Sequence, residues 1–183
     1  MKETEHPVAP ASSTPSPKES LGFLLAEYEA LRAEILKRTE IQHQLISLAL
    51  IATGTFLTIG SATATLAYPI LAIFLAAAWI QSDVRIGQLG AYIKKRIEER
   101  LFGSNLGWEH FYTSLHDMPR LGSLAHLASR GVFVGTQILT VFVSLLMNSF
   151  PTEDIVLLLV DSFVIVLTIF LLRRRKVNWE QVL

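Results

Sequence analysis

IQHQLISLALIATGTFLTIGSATATLAYPILAIFLAAAWIQS, residues Ile41 to Ser82, contains no Asp, Glu, Lys or Arg. A spanning helix needs about 20 mostly apolar residues, so the stretch is long enough for two. Its middle, Gly60-Ser61-Ala62-Thr63-Ala64-Thr65, is small, polar and weakly helical, and Pro69 follows it. This reads as a tight turn joining two antiparallel spans, about 44–60 and 66–82. The chain is therefore expected to be an integral membrane protein built on a helical hairpin.

Upstream, Leu24, Tyr28, Leu31 and Ile35 alternate spacings of four and three, a heptad-like seam. The seam continues through Arg38 and Gln42 to Leu45 without a Gly or Pro, so one helix is expected to run straight into the bilayer. Its start is marked by Ser16-Pro17-Lys18-Glu19, with Ser16 as N-cap, Pro17 at the first helical position and Glu19 reaching back. Residues 1–15, with Pro7, Pro10 and Pro15 among small polar residues, have too little apolar surface to order and read as a disordered tail. Met1 to Glu19 holds no apolar run of the kind a cleavable signal needs, so the first span is expected to direct insertion.

Downstream, Ile86, Leu89, Ile93, Ile97 and Leu101 form a second stripe, with Lys94, Lys95, Glu98 and Glu99 on the wet side. The two long helices thus leave the membrane on one side and are expected to pack as a stalk, making residues 16–101 one unit. Counting from a turn near Thr63, Leu31 and Ile35 should meet Ile93 or Leu89, with Leu31 opposite the mid-nineties.

Residues 102–130 read as an interfacial linker. Gly103, Gly107, Pro119 and Gly122 break it, and Trp108, Phe111 and Tyr112 cluster beside His110 and His116. Residues 131–172 make a second transmembrane hairpin: a charge-free run to Thr152, a connection at Pro151-Thr152-Glu153-Asp154, and a fourth span from Ile155 to Leu172. The two acids suit the first turn of that last helix through its dipole. Residues 173–183 are a basic tail opening on Arg173-Arg174-Arg175-Lys176. The expected fold is all-α and integral to the membrane: four transmembrane helices as two helical hairpins, the first with long cytosolic helical extensions.

Composition agrees. Hydrophobic residues make up 51% and charged residues 17%, against about 25% charged in soluble domains. Cysteine is absent, which excludes disulfides, thiolate nucleophiles and sulfur metal sites. None of the sixteen Lys and Arg lies in the two short connections around Ser61 to Thr65 and Thr152 to Asp154. Basic residues stay on the cytoplasmic side of short loops. Residues 1–40, 83–130 and 173–183 are therefore expected in the cytosol, both termini included, with the chain multi-pass in the plasma (inner) membrane.

The run Glu27-Tyr28-Glu29-Ala30-Leu31-Arg32-Ala33-Glu34-Ile35-Leu36-Lys37-Arg38 leads through Gln44-Leu45 into a Gly- and Thr-containing span. With Ala78-Trp79-Ile80-Gln81, Leu89-Gly90-Ala91-Tyr92-Ile93 and Leu106-Gly107-Trp108-Glu109, it resembles small prokaryotic multi-pass membrane proteins over residues 24 to 112. That resemblance implies no activity. In layout, paired spans with cytosolic helical extensions, the chain is similar to SLATT-type membrane effectors. This implies a place in prokaryotic conflict systems, where a sensor triggers membrane damage.

Asp161 is the one ionisable residue within an expected span, and such carboxylates are costly and often functional. Gln137, Thr140, Ser144 and Asn148 share a face of the third span, and an antiparallel neighbour brings Ser144 near Asp161. Three roles are open: interhelical glue, an ion or proton path, or snorkelling to the outer surface. On the first hairpin, Ser47, Gly54, Thr58 and Ser61 share a face, and Ala72 and Ala76 make a small-xxx-small pair. Core packing is expected of them, a pore lining or oligomer contact being the other reading. His110, His116, Asp117 and His126 match no metal-ligand spacing. Lys94-Lys95-Arg96 and Arg173 to Lys176 follow from topology and lipid charge and imply no nucleic acid. No cofactor or catalytic constellation is read. Expected partners are the lipid bilayer, further copies of the chain and a cytosolic protein. The function expected is a non-enzymatic, self-associating membrane effector or small channel, or else an anchor that docks a partner through its stalk.

Overall fold

The computed structural model describes residues 16–103, 107–108, 121–147 and 152–173, and among these all regular structure is helical. The expectations for the tail 1–15, for His110, His116 and Asp117, for Asn148 and Pro151, and for the tail beyond Arg173 fall outside the described residues.

α1 runs unbroken from Pro17 to Thr58, 42 residues, or about 63 Å at 1.5 Å per residue. The Ser16 hydroxyl accepts from the Glu19 N–H at 3.3 Å, while the Glu19 carboxylate accepts from the Ser16 N–H at 2.8 Å. Two otherwise orphaned donors are thereby satisfied. Gly60 reverses the chain with φ +70°, a left-handed conformation that favours glycine. The turn is only Ile59 to Ser61. Ala62–Thr65, expected in the connection, form the first helical turn of α2, which spans Ala62–Tyr92 and keeps Pro69 inside it.

The rod continues through a π-helical turn, Ile93–Glu98, and a short α3, Glu99–Phe102. α4 covers Leu121–Leu146, starting ten residues before the expected third span, and α5 covers Thr152–Arg173. Four helices are long and apolar enough to cross a membrane: Pro17–Thr58, Ala62–Leu101, Ala128–Leu146 and Ile155–Arg173.

α2 is the centre of the assembly and touches α1, α4 and α5. In its most apolar stretch 44% of residues are buried, against 11% for α1, which lies at the periphery. Tyr92 bonds Glu27, Ser82 bonds the Arg38 carbonyl, and Tyr68 bonds the Ala49 carbonyl. Numbers rise on one helix as they fall on the other, so α1 and α2 run antiparallel. Tyr68–Thr136 and Ala62–Ser144 order α2 against α4 in the same way. Gln137–Thr168 joins α4 to α5.

Three expectations are corrected. Because the turn centres on Gly60 and not Thr63, the register slips by about six residues. Leu31 therefore lies level with Leu89, not with the mid-nineties, and Ile35 lies level with Arg85 and Ile86. Leu24 and Tyr28 continue the seam toward the π turn. Glu98, expected on the wet side, is 2% exposed. The π turn holds more residues than an α turn, so Ile93, Ile97 and Glu98 all face inward. Finally, Ser47, Gly54, Thr58 and Ser61 point away from the bundle, whereas Ala72 and Ala76 are fully buried. Leu45, Ala49 and Thr53 take the inward side of α1 instead.

Candidate functional site

α4 carries Phe133, Thr136, Gln137, Thr140 and Ser144 on one face, at spacings of three and four that keep side chains aligned. All five are buried, Gln137, Thr140 and Ser144 completely. On α5, Asp161 and Thr168 are seven residues apart on one face, and both are fully buried. α2 contributes Thr65 and Tyr68, also fully buried. The interior of an otherwise apolar bundle therefore contains a ladder of polar side chains.

The hydroxyls are satisfied locally. Thr65, Thr136, Thr140 and Thr168 donate to the carbonyls of Ser61, Val132, Gln137 and Val164 at 2.7–2.9 Å. Such back-bonding lets a helix bury Ser and Thr at little cost. Cross-helix bonds lie at two levels. Near mid-bundle, Tyr68 donates to Thr136 at 2.8 Å and Gln137 donates its amide to Thr168 at 3.2 Å. About 10 Å toward the turn end, Ser144 donates to the Ala62 carbonyl at 3.4 Å.

Asp161 is on that second level. It is seven residues from Thr168 on α5, as Ser144 is seven from Gln137 on α4, so the Gln137–Thr168 bond sets Ser144 and Asp161 at the same height along their helices. Ser144 nevertheless bonds Ala62. Both carboxylate oxygens of Asp161, and Oε1 of Gln137, lack a donor among the described residues. Glue by a Ser144–Asp161 hydrogen bond is therefore not what the geometry contains. Toward the stalk the ladder ends on an apolar layer of Ala49, Leu75, Ala76, Trp79 and Phe133, with the Trp79 and Phe133 rings 6.3 Å apart.

A second cluster surrounds the π turn. The Arg32 guanidinium lies 5.6 Å from the ring centres of both Tyr28 and Trp108. A Cβ added at Gly107, whose φ is +154°, would overlap the Glu98 carboxylate. Gly107 thus lies against the Glu98 side chain of the π turn, and any larger residue there forces that side chain to shift. Of the expected stalk residues, Ile93 and Ile97 form its buried centre, while Leu24, Tyr28, Leu31, Ile35, Ile86 and Leu89 are half-buried.

Thr168 shares the face of Asp161 at a helical spacing and was legible as part of the ladder. Tyr68 carried a weaker signal, the lone phenol of an apolar run. Glu98 had none, because a π turn leaves no periodicity to read. No group of three His, Cys, Asp or Glu that would hold a metal ion occurs among the described residues. No family model matches the chain, and neither curated proteins nor solved structures give a match.

Proposed function

We propose that this chain is a non-enzymatic four-span membrane protein that self-associates and acts as a small channel or membrane effector. The observation that carries the reading is Asp161, fully buried with both oxygens unpaired beside a ladder of oxygen-bearing side chains. A buried charge is expensive at membrane depth, and replacing it with Leu would be the simpler solution for a bundle needing only adhesion. In this reading the chain inserts as two helical hairpins with both termini cytoplasmic, following the basic-residue asymmetry. The ladder forms the outer half of an ion path, and the Trp79–Phe133 layer is its closed inner gate.

Self-association is supported by α1, whose polar and small outward face, Gln44, Ser47, Gly54 and Thr58, is exposed along its span. In lipid such residues favour helix–helix contact. A SLATT-like role in triggered membrane damage fits the same architecture. Ion flux into liposomes holding the full chain tests the proposal. Wild type should conduct, and Asp161→Asn should reduce flux while still unfolding cooperatively in detergent. Tight wild-type liposomes, or equal flux in both proteins, reject it.

A second reading, an anchor docking a cytosolic partner, is favoured by the stalk portion of α1. Leu21, Phe23, Leu25 and Leu36 are 54–71% exposed there, ahead of the span and away from α2.

A further inference from the structure

We infer that Asp161 binds one monovalent alkali cation at the turn end of the polar ladder. The inference rests on the four-span reading and gives the ladder its ligand.

The argument begins with charge. No Lys, Arg, Asp or Glu other than Asp161 occurs in residues 41–82, 131–147 or 155–172, which supply the interior of all four helices. The basic residues bounding those stretches are far off. Arg130 is fourteen residues from Ser144 and Arg173 is twelve from Asp161, about 21 and 18 Å along their helices. Among the described residues, no side chain neutralises the carboxylate.

The start of α2 is the remaining internal source of positive potential, since Ser144 reaches the Ala62 carbonyl at this level. A helix N-terminus supplies roughly half an elementary charge. None of its N–H groups donates to either Asp161 oxygen. Half a charge without a hydrogen bond leaves the carboxylate short of compensation.

The surroundings select the class of ion. Asp161 Oδ1 and Oδ2, the Ser144 hydroxyl oxygen and the Ala62 carbonyl are all oxygen atoms, which suit hard cations and not thiophilic ones. Only one of these groups is charged. A divalent ion would leave a net positive charge in the interior, and calcium usually gathers six to eight oxygens with several carboxylates among them. A monovalent cation leaves the site neutral.

The test uses the full chain in detergent, at constant ionic strength and pH, in sodium, potassium or choline chloride. Wild type should unfold several degrees higher in sodium or potassium than in choline, with a saturable rise of the form expected when a ligand binds only the folded state. The better of the two alkali ions identifies the source. Asp161→Asn should abolish the difference, and Ser144→Ala should shift its midpoint to higher cation concentration. Equilibrium binding of radioactive sodium to wild type, one ion per chain and displaced by excess unlabelled sodium but not by choline, gives a second measurement should Asp161→Asn not fold.

Stability indifferent to cation identity, together with no bound sodium or potassium, overturns the inference. So does an unchanged cation effect in folded Asp161→Asn. Stabilisation by acid alone names a proton as the compensator and also overturns it. A chain that binds the ion without conducting keeps this inference and loses the channel reading, and one that conducts without binding does the reverse.

Discussion

Tyr92 on α2 donates its hydroxyl to the Glu27 carboxylate on α1 at 2.8 Å, across 65 positions of sequence. With Ser82 bonded to the Arg38 carbonyl at 3.2 Å, it sets the register of the stalk. The apolar residues between the two bonds then have no freedom to slide.

Ile93 is fully buried in that stalk, whereas Leu36 is 70% exposed on its outside. Ile93→Asp should cost a few kcal/mol through the unpaired buried charge, and Leu36→Asp should stay within about 0.5 kcal/mol. Limited proteolysis reads the difference: rapid cutting in α1 for the first variant and wild-type resistance for the second. Equal resistance would separate the stalk from the protein's stability.

The Glu27 hydrogen bond, then burial and the Glu27 charge, hold the Tyr92 phenol above its ordinary value of 10.0. A raised folded value means that this bond stabilises the stalk below pH 10 and loses its effect as pH rises through the folded value. Ultraviolet titration, read as the difference between wild type and Tyr92→Phe, should place the Tyr92 step above the ordinary 10.0. Tyr92→Phe should remove that late step, and its persistence would assign it elsewhere.

Gly107→Ala should loosen the packing at the π turn, because the new methyl meets the Glu98 side chain and φ is +154°. Hydrogen exchange over residues 93–103 should speed up by roughly tenfold, about 1.4 kcal/mol, the scale of forcing Ala into a glycine conformation. Adding Glu98→Ala should restore part of the protection, since contacting sites couple. Additive effects would mean that the two residues do not meet.

The absence of native cysteine makes crosslinking direct. Ser47→Cys and Gly54→Cys, on the exposed face of α1, should give disulfide-linked dimers on mild oxidation in membranes. Phe163→Cys, 67% exposed on α5, should not. The opposite pattern would move self-association from α1 to α5.

Ser61→Cys in the turn after α1, and Glu99→Cys beyond the π turn, test orientation, both positions being exposed. An impermeant thiol reagent outside intact cells should label the first alone. Labelling of Glu99→Cys would invert the topology.

Much of this protein follows from its sequence taken alone. Helix class, the four apolar stretches and the Ser16–Glu19 cap depend on charge-free length, a 3.6-residue period and a local hydrogen-bonding motif, all of them properties of neighbouring residues. The shared face of Gln137, Thr140 and Ser144 is likewise a matter of spacing. The Leu31 register, by contrast, depends on where a glycine accepts a positive φ, and moving that centre from Thr63 to Gly60 doubles along the paired helices. Glu98 turned inward because a π turn breaks the period by which faces are counted. Which side of α1 meets α2, and that Ser144 bonds Ala62 and leaves Asp161 unpaired, were decided by competition among surfaces distant in sequence. Periodicity says that residues share a face, but only packing selects what the face meets.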